Sequence, residues 1–209
     1  MSDDRTSASD TLERLEEAEQ LKLGGKYCDA LSILEQLLIE DPENVPALEE
    51  VADNELSLEH YDRARTAARQ AVELDGDSYT GHYILGFLKS IDKEWKDAVD
   101  YLRKANVMRS NNAEILRCLG WALFSKGERA QGIVTLERAL NLDDENPLTL
   151  CDLGVAYLQT RNIVKSKALF ERAIELDPEN AKAIECMKAL EGLQRTMEEG
   201  RRMKSAQGK

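Results

Sequence analysis

The sequence LNLDDEN at residues 140–146 returns as IELDPEN at residues 174–180, 34 residues further along the chain. Earlier copies of the same ending are LIEDPEN, which closes at Asn44, and VELDGDS, which closes at Ser78. A fixed period over several copies is the signature of a repeat protein. The third copy, NVMRSNN, ends at Asn112 and is degenerate but in register. The period predicts five contiguous units without an insertion: residues 11–44, 45–78, 79–112, 113–146 and 147–180.

Two positions in every unit carry small residues. Position 8 reads Ala18, Ala52, Gly86, Gly120 and Gly154, and position 20 reads Ala30, Ala64, Ala98, Gly132 and Ser166. Small residues at two fixed points let two helix backbones approach closely, so each unit is predicted to be an antiparallel helix pair. Glycines at Gly24-Gly25 and at Gly127 mark the turn inside a unit, and Asp-Pro at Pro42 and Pro178 ends the second helix.

These features resemble the tetratricopeptide repeat: the 34-residue period, the small positions, an aromatic at position 17 (Tyr27, Tyr61, Trp95) and Leu-Asp-Pro-Glu-Asn at the boundary. The resemblance covers 170 of 209 residues and implies an all-α fold, a right-handed superhelical solenoid of five helix pairs. Residues 181–199 have apolar side chains at helical spacing and are expected to form a C-terminal capping helix that closes the repeat domain, residues 11–199. Residues 1–10 are expected to be a disordered tail and residues 200–209 a basic, flexible one.

The composition limits the class of partner. The formal net charge is −12, which disfavours a nucleic acid partner because an acidic surface repels phosphates. The acidity is uneven: residues 1–78 hold 21 acidic and 7 basic side chains, net −14, and residues 79–209 hold 19 and 21, net +2. Without a 20-residue apolar run or a signal peptide, the chain is expected to be cytoplasmic and not inserted in a membrane.

The sequence offers little for catalysis or metal binding. His60 and His82 are the two histidines, and neither has a metal-ligand spacing around it. Cys28, Cys118, Cys151 and Cys186 are scattered, although three of them recur at positions 5 or 6 of successive first helices. Fillers of helix surfaces are the preferred interpretation of these thiols. We therefore expect no enzyme, no catalytic residues, no cofactor and no metal.

The resemblance implies that one face of each first helix lines a concave groove where extended peptides commonly bind. On this basis the predicted peptide-binding residues are Glu49, Glu50 and Asp53 in an acidic part and Tyr83, Ile84, Phe87, Ile91, Arg117, Trp121, Phe124, Val155 and Leu158 in an apolar part. Phe87 and Trp121 share position 9 in neighbouring units and are expected about 10 Å apart. Exposed aromatic residues on one strip are typical of a binding surface with anchor side chains.

The family's carboxylate clamp for the acidic C-termini of heat-shock chaperones is not matched in three registers. The first of them reads Leu15, Glu19, Glu50, Thr80 and Ile84 where the clamp has Lys, Asn and Arg. The leading hypothesis is therefore a non-catalytic adaptor for a protein or peptide client that has an apolar anchor and basic residues. The alternatives are a scaffold or a secretion or assembly chaperone that acts through homo-oligomerisation and, third, a small enzyme.

Overall fold

The computed structural model describes residues 3–207, and throughout this range the regular structure is helical, as predicted. The helices are α1 (Asp3–Leu23), α2 (Tyr27–Glu40), α3 (Val45–Ser57), α4 (Tyr61–Leu74), α5 (Tyr79–Ile91), α6 (Trp95–Met108), α7 (Ala113–Lys126), α8 (Arg129–Leu142), α9 (Pro147–Gln159), α10 (Ile163–Leu176) and α11 (Ala181–Gln207). Each odd-numbered helix up to α9 packs against the even-numbered helix that follows it.

The recurring Asn or Ser at the end of each unit has a local cause: these residues cap the next odd helix. Asn44, for example, accepts a hydrogen bond from the backbone N–H of Ala47 at 3.1 Å. Ser78, Asn112, Asn146 and Asn180 accept equivalent bonds at the starts of α5, α7, α9 and α11. An N-cap oxygen satisfies one of the backbone donors that a helix start leaves unpaired, so each capping side chain fixes where the next unit begins.

The turn inside each unit uses a left-handed residue at position 15. Gly25 has φ 72° and Gly127 has φ 109°, which glycine adopts without strain. The same position is occupied by Glu59, Lys93 and Arg161 in the other units, with φ of 59°, 60° and 62°. The chain therefore turns in the same way in all five units, and a glycine marks that turn in two of them.

The predicted helix-pair seam is confirmed. Ala18, Ala30, Ala52, Ala64 and Ala98 are all completely buried. A Cβ added to Gly132 would come within 2.6 Å of the backbone nitrogen of Phe124, so α7 and α8 approach each other as closely as backbones can. Apolar side chains at position 24, most of them larger, fill the space beside this contact, and all are fully buried: Leu34, Ala68, Leu102, Leu136 and Phe170.

The helices group into two compact bodies, with the boundary between Ser110 and Asn111. We call these bodies unit 1 and unit 2; each contains more than one of the 34-residue repeat units. Unit 1 contains α1–α6 and unit 2 contains α7–α11. In unit 1, α3 contacts both α1 and α5; in unit 2, α9 contacts both α7 and α11. The odd-numbered helices of each unit therefore lie side by side. We call the surfaces that they present odd-helix face 1 (α1, α3, α5) and odd-helix face 2 (α7, α9, α11).

The first and last helices extend beyond the domain boundaries that the sequence predicts. α1 begins at Asp3, before the predicted first unit at Thr11, and α11 continues past Glu199 to Gln207. Residues 1, 2, 208 and 209 of the predicted tails lie outside the described residues. The disorder and flexibility expected of the two tails stay predictions. Of the helices within residues 3–207, none combines the length and the apolar character that crossing a membrane requires.

Candidate functional site

The acidic part of odd-helix face 1 also contains a lysine side chain. Lys22 on α1 donates to Glu50 Oε2 at 2.7 Å and to Asp53 Oδ2 at 2.9 Å, both on α3. Burial alone would lower the pKa of Lys22, but the two hydrogen bonds to Glu50 and Asp53 raise it above its ordinary value. Two of the three acidic residues predicted to bind a partner are thus already shared with a lysine.

The third acidic residue, Glu49, is half-buried and accepts a hydrogen bond from the Ser78 hydroxyl. Burial raises the pKa of this carboxyl above its ordinary value, and the Ser78 bond opposes part of that rise. Glu16 and Glu19, by contrast, are exposed on α1. Glu19 lies three residues before Lys22 and Glu16 three residues before that, so all three share one side of the helix. Both carboxylates are therefore open to solvent.

An aromatic pair lies on the neighbouring helix α5. The rings of Tyr83 and Phe87 are 6.4 Å apart between centroids and tilted by 38°, and both side chains are half-buried. Ile91, one turn further along, is exposed. Face 1 therefore joins an acidic area on α1 and α3 to an aromatic and aliphatic area on α5, all within unit 1.

The predicted exposure of Ile84 is wrong, because this side chain is 0% exposed. Ile84 belongs to the hydrophobic core of unit 1 together with Val51 and Leu88. Its position on the helix directs it sideways to where α5 packs against α3 and not outward to solvent. Ile84 contributes to packing and offers no surface to a partner.

Odd-helix face 2 contains a chain of four charged residues that we call the ion ladder: Glu114, Arg117, Asp152 and Lys182. Arg117 on α7 donates from Nε to Glu114 Oε2 at 2.9 Å and from its NH1 group to Asp152 Oδ2 at 2.8 Å. Lys182 on α11 donates to the other oxygen of Asp152 at 2.7 Å. The Asp152 side chain is 4% exposed. Arg117, predicted to bind a partner, has its guanidinium engaged inside the protein.

The aromatic residues of face 2 differ in exposure. Trp121 is half-buried, and the Lys182 ammonium lies 5.9 Å from the centroid of its ring. Phe124 stacks on Trp121 with centroids 6.1 Å apart, but it is only 4% exposed and packs into the core of unit 2. The predicted exposure of Phe124 is therefore wrong. Val155 and Leu158 on α9 are half-buried and complete the apolar part of this face.

Sequence reasoning missed Lys182 as a member of face 2 because it treated α11 only as a cap. The signal that could have found it was the repeat register, since Lys182 occupies position 2 of what would be a sixth unit. It also missed a cleft of about 470 Å³ that is lined by α8, α9 and α10. Leu140, Leu153 and Leu169 line this cleft, and at one end Lys165 donates to the Tyr157 hydroxyl at 2.9 Å.

The two buried thiols and both histidines make local contacts within the protein. Burial raises the pKa of Cys118 well above its ordinary value and that of Cys151 to about 11, so both are protonated at neutral pH. Buried His82 bonds the carbonyl of Gly76 at 3.0 Å, and His60 Nδ1 lies 2.7 Å from Glu55 Oε2. Within the described side chains, no group of three or more His, Cys, Asp or Glu residues is arranged to hold a metal ion.

Comparisons with known proteins agree with the repeat fold. Models of the tetratricopeptide repeat match residues 50–113 and 147–180. A curated relative, the TPR repeat-containing protein MJ1428 of Methanocaldococcus jannaschii, is 23% identical over 106 residues, which cover 51% of this chain and 18% of the relative. This chain therefore matches less than a fifth of that protein.

Two solved structures show the same fold. TTC0263, a thermophilic TPR protein in Thermus thermophilus, has a TM-score of 0.65 at 22% identity, with 86% of this chain and 97% of that chain covered. YrrB, described as a TPR protein with an unusual peptide-binding site, has a TM-score of 0.62 at 20% identity, with 84% and 90% covered. At these identities the likeness concerns the fold.

Proposed function

Because this chain belongs to the tetratricopeptide-repeat family, whose members are generally non-catalytic scaffolds for protein interactions, we propose that it is an adaptor that binds a polypeptide segment on its odd-helix faces. The observation that carries the proposal is the composition of face 1. Exposed carboxylates of Glu16 and Glu19 lie in the same unit as the half-buried rings of Tyr83 and Phe87. A partner with an apolar anchor and flanking Lys or Arg side chains fits both areas.

The two areas have different physical roles. Tyr83 and Phe87 are large, rigid side chains that bury much apolar surface against a partner for little loss of conformational freedom. The carboxylates of Glu16, Glu19, Glu50 and Asp53 outnumber the single ammonium of Lys22, so the area keeps a net negative charge. Such a field attracts basic partners and disfavours acidic ones. The aromatic area supplies affinity and the acidic area selects the class of partner.

Face 2 supports a second, more apolar contact. Trp121, Val155 and Leu158 leave part of their surface open, and the charges around them are balanced inside the ion ladder. The description of YrrB as a TPR protein with a peptide-binding site is consistent with peptide binding on this fold. We assign to face 2 the binding of apolar side chains without a preference for charge.

A peptide-display library selected against the immobilised chain tests the proposal even though the partner is unidentified. We expect the enriched peptides to combine Lys or Arg with aromatic or large aliphatic residues. Binding of an enriched peptide is then measured by calorimetry to the wild type and to Phe87→Ala. Loss of an anchor of this kind costs about 2 kcal/mol, which corresponds to roughly 30-fold weaker binding.

Val107→Ala is the matched control, since Val107 is 81% exposed on α6 of the same unit. It should bind the peptide like the wild type. Circular dichroism of each variant verifies the helical fold. Enrichment of acidic peptides, or equal binding by folded Phe87→Ala, would refute the assignment of face 1. Face 2 is tested in the same way by measuring peptide binding to Trp121→Ala, with Val164→Ala as the matched control.

A further inference from the structure

The end of α11 carries the chemistry that face 1 is proposed to recognise. Arg201, Arg202, Lys204 and Lys209 give residues 200–209 four positive charges and no negative one. Leu193 precedes this segment and is 42% exposed. The segment thus combines basic residues with a nearby apolar side chain, and it belongs to the same chain as the acidic face.

The helix α11 extends well beyond its last described buried side chain. Among the described side chains of α11, those that are fully buried are Ala183 and Leu190. The helix then continues from Leu190 to Gln207, a further 17 residues. At a rise of 1.5 Å per residue this adds about 25 Å. The basic residues of α11 therefore follow its last described buried side chain by more than two helical turns.

We propose that the basic end of α11 in one copy binds odd-helix face 1 of a second copy. This inference rests on the proposed function of face 1 and names the partner of that face. Donor and acceptor are different surfaces of each chain, so the contact is heterologous and every bound copy still offers one of each. Association is therefore open-ended, and the average mass increases with protein concentration. It also weakens with salt, because the attraction is between exposed charges.

Sedimentation velocity on the full chain tests the inference, from about 2 to about 200 µM protein at about 20 mM and about 500 mM salt. Three variants are compared with the wild type. The first reverses the helix end, R201E/R202E/K204E; the second reverses the face, E16K/E19K; the third combines both sets. We expect the wild type to associate at low salt and each single reversal to remain near 23.5 kDa. The combined variant should recover association, since both charges are exchanged.

A control on the same helix distinguishes an effect of the position of the charges on face 1 from an effect of the net charge of the protein. Glu13 and Glu17 are exposed on α1 about a third of a turn away from Glu16 and Glu19. E13K/E17K makes the same change in net charge and should associate like the wild type. Loss of association in this control equal to that in E16K/E19K would overturn the proposed contact, as would failure of the combined variant to recover it.

The outcome is distinguishable from that of the adaptor proposal. A wild type that stays at the monomer mass over the whole concentration range overturns self-association. Library peptides that bind in a Phe87-dependent manner would in that case still support the adaptor function. If the wild type associates with itself but Phe87→Ala binds the library peptides as the wild type does, the peptide-binding site lies on another part of the chain. The adaptor assignment of face 1 is then contradicted, while self-association is judged by the charge-reversal variants alone.

Discussion

At the scale of single residues, Glu49 makes stability depend on pH in an unusual direction. Burial raises the folded-state pKa of this carboxyl above its unfolded value, so the folded chain holds the proton more tightly. The stabilisation by this group is complete below the unfolded pKa and is lost as pH rises through the folded pKa. Most acidic residues with shifted pKa values behave in the opposite way.

The side chain in Glu49→Gln does not titrate. We therefore expect this variant to lack the fall in stability that the wild type shows as pH rises from the unfolded-state pKa to the folded-state pKa of Glu49. The glutamine oxygen can still accept the Ser78 hydroxyl, so the hydrogen bond is kept. The stability of the wild type relative to the variant should fall from about pH 4 to neutral pH, measured by urea unfolding. A difference that is constant with pH would show that Glu49 titrates equally in both states.

Two glycines on helices have opposite roles. Gly132 on α8 has the backbone nitrogen of Phe124 2.6 Å from where a Cβ would lie, whereas a Cβ on Gly192 of α11 would have nothing within 4 Å. Gly132→Ala should destabilise by about 1–3 kcal/mol, because it separates two packed backbones. Gly192→Ala should stabilise by about 0.5–1 kcal/mol through reduced backbone entropy in the unfolded chain. Thermal unfolding of both variants gives the comparison, and equal effects would contradict the packing at Gly132.

Single residues also show where sequence reasoning about the site stops. Helical spacing determines which way a side chain points, and Glu49, Tyr83 and Phe87 keep part of their surface open, as expected from their positions. Ile84 and Phe124 do not, because their burial depends on how closely the adjoining helices pack. The engagement of Arg117 required knowing that Asp152, 35 residues later, lies beside it. The repeat position of Arg117 does not show which side chain of the next repeat lies beside it.

At the scale of helices, the sequence was most informative at the unit boundaries. Asn44, Asn146 and Asn180 cap the helices that follow them, so the repeated motif determines both the end of one unit and the start of the next. The left-handed turns at Glu59 and Lys93 could not be recognised from composition, since neither residue favours that conformation. Their geometry is imposed by the packed helices on either side.

The ion ladder links α11 to α9 and α7 within unit 2. Asp152 is 4% exposed and receives both Arg117 and Lys182, whose side chains are 12% and 50% exposed. Removing the charge in Asp152→Asn takes away one of the carboxylates that Arg117 contacts and should cost about 3 kcal/mol, the lower end for breaking a buried pair. Lys182→Ala should cost at most about 1 kcal/mol, as expected for a half-exposed partner.

Urea unfolding measures both variants, and hydrogen exchange along residues 181–196 reports whether α11 loosens first. We expect faster exchange in α11 for Asp152→Asn, with α7 and α8 less affected. If Lys182→Ala proved the more damaging of the two, the ladder would depend on the Trp121 contact of Lys182 and not on the buried carboxylate.

At the scale of the whole molecule, charge and repeat regularity vary along the chain. The degenerate ending NVMRSNN at residues 106–112 contains the boundary between the two compact units. Asn111 has φ 60° there, which none of the residues that end the other units requires. The sequence marked this ending as irregular but did not indicate that it separates two compact units, because periodicity describes only the register of the repeats.

The net charge of −14 in residues 1–78 should act on binding mainly through the rate of encounter. A negative field accelerates the approach of a basic peptide over distances of about the Debye length, roughly 10 Å at 0.1 M salt. Once bound, the peptide is held by short-range contacts with Tyr83 and Phe87. We expect E16K/E19K to slow association with a basic library peptide by about tenfold at low salt and to change dissociation less.

Stopped-flow fluorescence at several salt concentrations measures the two rates separately. The association rate of the wild type should fall steeply with salt, and that of E16K/E19K should depend on salt much less. Phe87→Ala should show the complementary pattern, with faster dissociation and an unchanged salt dependence of association. E13K/E17K would match E16K/E19K if only total charge mattered, and would retain more of the wild-type rate if Glu16 and Glu19 lie where the peptide approaches. A variant of face 1 that altered dissociation alone would mean that its carboxylates contact the bound peptide directly, and that steering by the acidic unit contributes little to its recognition.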